Sequence, residues 1–189
     1  AEKGDALAET NNNKVDISQS TVDGYVYGGY AYAGSYNESA AVKVYANENT
    51  VSISDKASIG RDVYGGYGDA TTQANENKVS ISGESTKVSG DVYGGFSDAG
   101  TQSGDALAEA SNNEVTISQA TVDGSNGYVK GGYAYAKSSD GTAFAYANYN
   151  TVAVLDGATV KGDIYGGYAD AYAGKSNTEQ ASYNTVIID

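Results

Sequence analysis

The sequence predicts an all-β protein, a β-solenoid (parallel β-helix) of about five coils of 28–37 residues, and three observations carry that reading. A motif of Asn, any residue, Val, any residue and a second β-branched or aliphatic residue opens at Asn13, Asn49, Asn77, Asn113, Asn150 and Asn184. A Gly-pair motif (VYGGY, VYGGY, VYGGF, VKGGY, IYGGY) follows at 26–30, 63–67, 92–96, 129–133 and 164–168. The core valines of the first motif lie 36, 28, 36, 37 and 34 residues apart, a period that belongs to a stacked repeat. Residues 4–23 also return almost unchanged at 104–123, so the array grew by duplication of larger blocks within a single repeat domain, 1–189.

Each unit opens with a strand. In NKVSIS, Asn77, Val79 and Ile81 share one face and Lys78, Ser80 and Ser82 the other, the period-2 alternation of a half-buried strand. The expected core is therefore Val15, Ile17, Val51, Ile53, Val79, Ile81, Val115, Ile117, Val152, Val154 and Val186. The motif asparagines lie on that same inward face. Stacked coils about 4.8 Å apart would line them up as a ladder of side-chain amides; Asn is also a common turn former, the simpler reading.

Next comes a second alternating segment, such as VSGDV at 88–92 or VKGDI at 160–164. The Gly pair then interrupts the alternation and is read as a corner, because Gly accepts backbone conformations that other residues resist. The last part of the unit varies most. From the aromatic residue after the Gly pair to the next motif Asn there are 19, 10, 17, 17 and 16 positions. Segments such as YAYAKSSDGTAFAYAN at 133–148 look like two Ala/Tyr strands around a polar turn, hence hairpin-like extensions on one edge. Period-3.6 stripes are missing and Gly is everywhere, which leaves helix without support.

Units such as NKVSISGESTKVSGDVYGGFSDAG resemble the repeats of bacterial autotransporter passengers and related surface adhesins, in which NxVxIS and GxVYGGY-type segments alternate over long β-helices. The resemblance spans five nearly complete units. It implies export to the bacterial cell surface and a role in adhesion or in extending another domain, and it transfers no catalytic or ligand residue. These 189 residues depart from that pattern in size, and no translocator barrel or distinct tip domain is expected within them.

Composition narrows the chemistry. The chain has no His, Cys, Met, Trp or Pro, so imidazole bases, thiolates, zinc fingers and disulfides are excluded, and no cofactor is expected. A net charge of −13 and a single Arg, Arg61, argue against nucleic acid. No run of about 18 apolar residues is present, so no membrane span is expected.

Asp62, Asp91 and Asp163 repeat at one position rather than converge, which suits a solvated edge better than a catalytic pair or a Ca²⁺ site. A carbohydrate-active β-helix enzyme would want more Arg. Tyr27, Tyr64, Tyr93 and Tyr165 share one position, which the alternation places outward, and Tyr30, Tyr67, Phe96, Tyr133 and Tyr168 share another position. Such rows form a contact surface for glycans or a neighbouring protein, or they stabilise the solenoid by stacking on one another. Asn37-Glu38-Ser39 matches a glycosylation sequon and reads as chance.

The expected function is a non-enzymatic extracellular structural or adhesive segment. Its partners would be host or biofilm surface ligands such as glycans, or copies of itself. The alternative is a self-assembling fibre subunit: neither end carries a capping helix or Pro, so end-to-end association promoted by salt is expected.

Overall fold

The computed structural model describes residues 6–33, 42–70, 72–124 and 126–189, and every described strand pairing is parallel. The sequon at Asn37 and part of the first Ala/Tyr segment lie outside the described residues. Each coil contributes one strand to each of four sheets, numbered here in chain order. Sheet A holds β1 (Ala6–Glu9), β5 (Val42–Tyr45), β9 (Thr72–Gln73), β13 (Ala106–Glu109), β17 (Thr142–Tyr146) and β21 (Ser176–Gln180). Sheet B holds β2 (Lys14–Ser18), β6 (Thr50–Ser54), β10 (Lys78–Ser82), β14 (Glu114–Ser118), β18 (Thr151–Leu155) and β22 (Thr185–Ile188). Sheet C is built from two-residue strands: β3 (Thr21–Val22), β7 (Ser58–Ile59), β11 (Lys87–Val88), β15 (Thr121–Val122) and β19 (Thr159–Val160). Sheet D holds the longest strands: β4 (Val26–Tyr32), β8 (Val63–Asp69), β12 (Val92–Thr101), β16 (Val129–Ser138) and β20 (Ile164–Ala173).

The register stacks like on like. Val15, Val51, Val79, Val115, Val152 and Val186 form one column, and Ile17, Ile53, Ile81, Ile117, Val154 and Ile188 the next. Together with the valines and isoleucines of sheets C and D they make the main apolar core. Val51, Ile53, Ile81, Val115, Ile117 and Val152 are fully buried, Val79 and Val154 nearly so, and Val15 and Ile17 are half-buried. Val186 departs from the expected core: it is 44% exposed, because β22 pairs on one side only.

Two expectations are corrected. The Gly pair is not a corner, since each sheet D strand runs through it, and the turn between sheets C and D falls earlier, around Gly60, Gly90, Gly124 and Gly162. VSGDV is therefore the end of one strand and the start of the next. Nor do the Ala/Tyr segments form hairpins. In YAYAKSSDGTAFAYAN the first half extends β16 in sheet D and the second is β17 in sheet A, each paired with the neighbouring coils. Between these sheets lies a second core made almost wholly of alanine: Ala99, Ala106, Ala108, Ala134, Ala136, Ala143 and Ala145 are buried there. Small side chains let the two sheets approach closely, so the variable segment is a second, thin lobe of the coil. Its shortest version belongs to the 28-residue spacing and leaves β9 only two residues long.

The Gly pair breaks the alternation within each strand while the pairing between strands stays one to one. Burial follows Val92, Gly94 and Gly95, then Ser97 and Ala99, so two successive inward glycines shift the inward phase by one. Tyr93 and Phe96 thereby face outward together. A Cβ at Gly94 would strike the Gly131 carbonyl and the Asn113 side chain, and one at Gly95 the Ala74 carbonyl and the same amide. Backbone atoms of a stacked coil have nowhere to go. Gly95→Ala is therefore expected to lose more than about 4 kcal/mol or to prevent that coil from forming. Gly100→Ala, with open space around it, should stay within about 1 kcal/mol of the parent. Urea unfolding of both variants checks the contrast.

Candidate functional site

Two amide ladders line the corner between sheets A and B. Asn77 donates its backbone N–H and its Nδ2 to Asn113 Oδ1 at 2.9 and 3.1 Å, and Asn113 does the same to Asn150. The same double donation links Asn13 to Asn49, Asn49 to Asn77, and Asn150 to Asn184. Asn49, Asn77, Asn113 and Asn150 are buried; Asn13 is exposed and Asn184 half-exposed at the two outer coils.

A second ladder went unread in the sequence. It runs two residues upstream through Asn11, Asn47, Asn75, Ser111 and Asn148, and its donors point the other way: Asn47 N–H donates to Asn11 Oδ1, and Asn75 N–H to Asn47 Oδ1. The signal was there, in NNN, NEN, NEN, SNN, NYN and SYN. Between the ladders sits one residue per coil with φ near +60°: Asn12, Glu48, Glu76, Asn112, Tyr149 and Tyr183.

The outer face of sheet D carries the residues with contact chemistry, in four rows along the stack. The first is Tyr25, Asp62, Asp91, Tyr128 and Asp163; the second Tyr27, Tyr64, Tyr93, Lys130 and Tyr165. The third is Tyr30, Tyr67, Phe96, Tyr133 and Tyr168; the fourth Tyr32, Asp69, Asp98, Tyr135 and Asp170. Within the second row Tyr27, Tyr64 and Tyr93 stack with centroids 5.0 Å apart and planes within 6°. Tyr30, Tyr67 and Phe96 stack likewise, and the two rows meet edge to face, as Tyr64 and Tyr67 do at 5.3 Å and 90°.

This herringbone consumes the ring faces. Tyr64 and Tyr93 point outward, as the alternation implied, yet each is only 8% exposed: Tyr64 lies between the rings of Tyr27 and Tyr93, and Tyr93 between the Tyr64 ring and Lys130. Tyr27 and Tyr165 are half-buried. The accessible rings lie elsewhere: Tyr25, Tyr30, Tyr32, Tyr168 and Tyr172.

The aspartates of the first row are engaged rather than free. Asp62, Asp91 and Asp163 accept the hydroxyls of Tyr64, Tyr93 and Tyr165 at 3.1–3.2 Å. Asp62 Oδ1 also accepts the Asp91 N–H, and Asp91 Oδ1 the Tyr128 N–H. Burial first, and then these carboxylates, push the Tyr64 and Tyr93 hydroxyls up. Tyr67 and Tyr133 are pushed up to about 12 by burial and the fourth-row aspartates.

Lys130 takes the place of a tyrosine in the second row. Its Nζ lies 4.3 Å from the ring centre of Tyr133 and 4.9 Å from that of Tyr168, with Tyr128, Tyr93 and Tyr165 at 5.3–5.7 Å. Burial pulls its ammonium below the ordinary lysine value, opposed by the Asp91 carboxylate. Arg61 stacks similarly over Tyr25.

An open groove of about 430 Å³ beside the first row is lined by Tyr25, Arg61, Asp62, Gly90, Asp91 and Asn126. Its two carboxylates already accept tyrosine and backbone donors. Among the described residues no three His, Cys, Asp or Glu side chains converge as a metal site, and no helix is long and apolar enough to cross a membrane.

Asp69 and Asp98 stack directly in register. Burial raises both carboxyls, and Asp69 raises Asp98 further. A native carboxyl held above its unfolded value stabilises the fold below the unfolded value, and that contribution is lost as pH rises through the native one. Asp98→Asn should therefore gain up to about 1 kcal/mol over the parent at pH 7, with solvent screening of a half-exposed group included, and gain nothing at pH 3. Thermal unfolding across that pH range checks the sign. Compared with family models, curated proteins and solved structures, the chain matches none, so the reading of this face rests on its own geometry.

Proposed function

We propose that the chain is a non-enzymatic structural and adhesive segment of a bacterial surface protein, working outside the cell. One observation supports this most: chemically active side chains repeat in straight rows along the stack instead of converging on a centre. A row of phenols and carboxylates offers many equivalent weak contacts, which suits attachment to a repetitive partner such as a glycan. With the ring faces of the central tyrosines occupied and the hydroxyls of Tyr64, Tyr93 and Tyr165 paired to the first-row carboxylates, contact falls to the exposed rings, among them Tyr30 at 49% and Tyr32 at 62% exposure.

A second reading, a fibre subunit growing end to end, is favoured by the register, in which each strand pairs in parallel with its equivalent one coil away. The strands β1 and β2 nearly repeat β13 and β14, which inside the chain sit on β9 and β10.

Binding to immobilised glycans and to whole cells tests the first reading. The parent should bind, and Tyr32→Ser, which removes an exposed ring outside the stacked rows, should lose about tenfold in affinity with its unfolding midpoint unchanged. A parent that binds neither glycans nor cells removes adhesion and leaves only the structural role. For the second reading, light scattering in moderate salt should show growth with concentration; a monomer at every concentration rejects it.

A further inference from the structure

Tyr149 and Tyr183 stand apart from the tyrosines of sheet D. They occupy the corner position with φ of 57° and 58°, where the other coils place Asn or Glu. A bulky side chain in this left-handed region is a genuine outlier, and such outliers cluster where function holds them. The two rings stack with centroids 5.0 Å apart and planes within 7°. The Tyr149 N–H donates to the Ser182 carbonyl at 3.0 Å, so the backbones beneath the rings are locked coil to coil. Both rings are open to solvent, Tyr149 at 56% and Tyr183 at 73% exposure. Among the described residues, the other closely stacked tyrosine pairs each include a covered ring: Tyr27–Tyr64 and Tyr64–Tyr93 include Tyr64, and Tyr30–Tyr67 the half-buried Tyr67.

We propose that Tyr149 and Tyr183 are a site of oxidative cross-linking, where a peroxidase with hydrogen peroxide joins the two phenols into a dityrosine brace between successive coils. Each phenol gives up one electron and its proton, and the two phenoxyl radicals couple through ring carbons ortho to oxygen. The hydrogens on those carbons then move to the oxygens and restore both phenols. The two electrons and two protons released reduce one hydrogen peroxide to two waters. Stacking brings ring carbons of the two residues together before oxidation, so coupling within the chain outruns encounters between chains. The new bond ties residues 34 apart in sequence and resists peeling of β22 from β18.

The test treats dilute 189-residue chain with horseradish-type haem peroxidase and hydrogen peroxide. Dityrosine fluorescence is read on the monomer fraction, and the linked peptides are mapped by mass spectrometry. The expected product is a monomer lighter by two hydrogens, with Tyr149 joined to Tyr183 and a raised unfolding midpoint. Tyr183→Phe and Tyr149→Phe keep the stack and the fold but should each lose at least nine-tenths of the monomer signal. Fluorescence that persists in both variants, maps to another pair or appears only in linked dimers overturns the proposal, as does a parent that forms no dityrosine.

Discussion

The asparagine of one coil and the glycine pair of the coil before it occupy a single volume. Asn113 packs where side chains at Gly94 and Gly95 would stand, and Asn49, Asn77, Asn150 and Asn184 meet Gly28–Gly29, Gly65–Gly66, Gly131–Gly132 and Gly166–Gly167 in the same way. That contact explains why two motifs far apart in each repeat recur together. It also fixes the register, because every buried amide has donors on one side and an acceptor on the other, and a slip of one residue would leave them unsatisfied. The stacking of valine on valine and isoleucine on isoleucine follows from this alignment.

A fixed corner forces variation elsewhere. The coil closes through two lobes, one filled by Val and Ile and the other by alanine. The branched lobe meets the amide ladder and keeps nearly constant length. The alanine lobe can shrink to a two-residue strand, because shortening it removes little apolar burial. The phase shift at the Gly pair joins the lobes and turns both aromatic positions of each YGGY to the same outer face, where they interlock.

Much of this was legible along the chain and some was not. Alternation around Val79 and Ile81 identified the strand and its inward face, and the spacing of the valines identified the coil. Pairing partners are a different matter. YAYA and AFAYA around Ser139–Gly141 carry the pattern of a hairpin, and nothing local says that each prefers the equivalent strand of the next coil. Burial misled for the same reason: Tyr64 and Tyr93 lie on an outward phase and are covered by rings 29 and more residues away. The upstream amide ladder escaped because its Asn positions look like ordinary turn residues, and Ser111 interrupts them.

The parallel pairing of all four sheets has a mechanical consequence. Hydrogen bonds between coils run along the stacking direction, so tension applied along that direction passes through every inter-coil seam in series, and the seams give way singly, the weakest first. A coil that peels away lets out 28–37 residues of chain, about 90–130 Å of extended length. Stretching therefore proceeds as a staircase of unequal treads, the shortest belonging to the coil with the smallest alanine lobe.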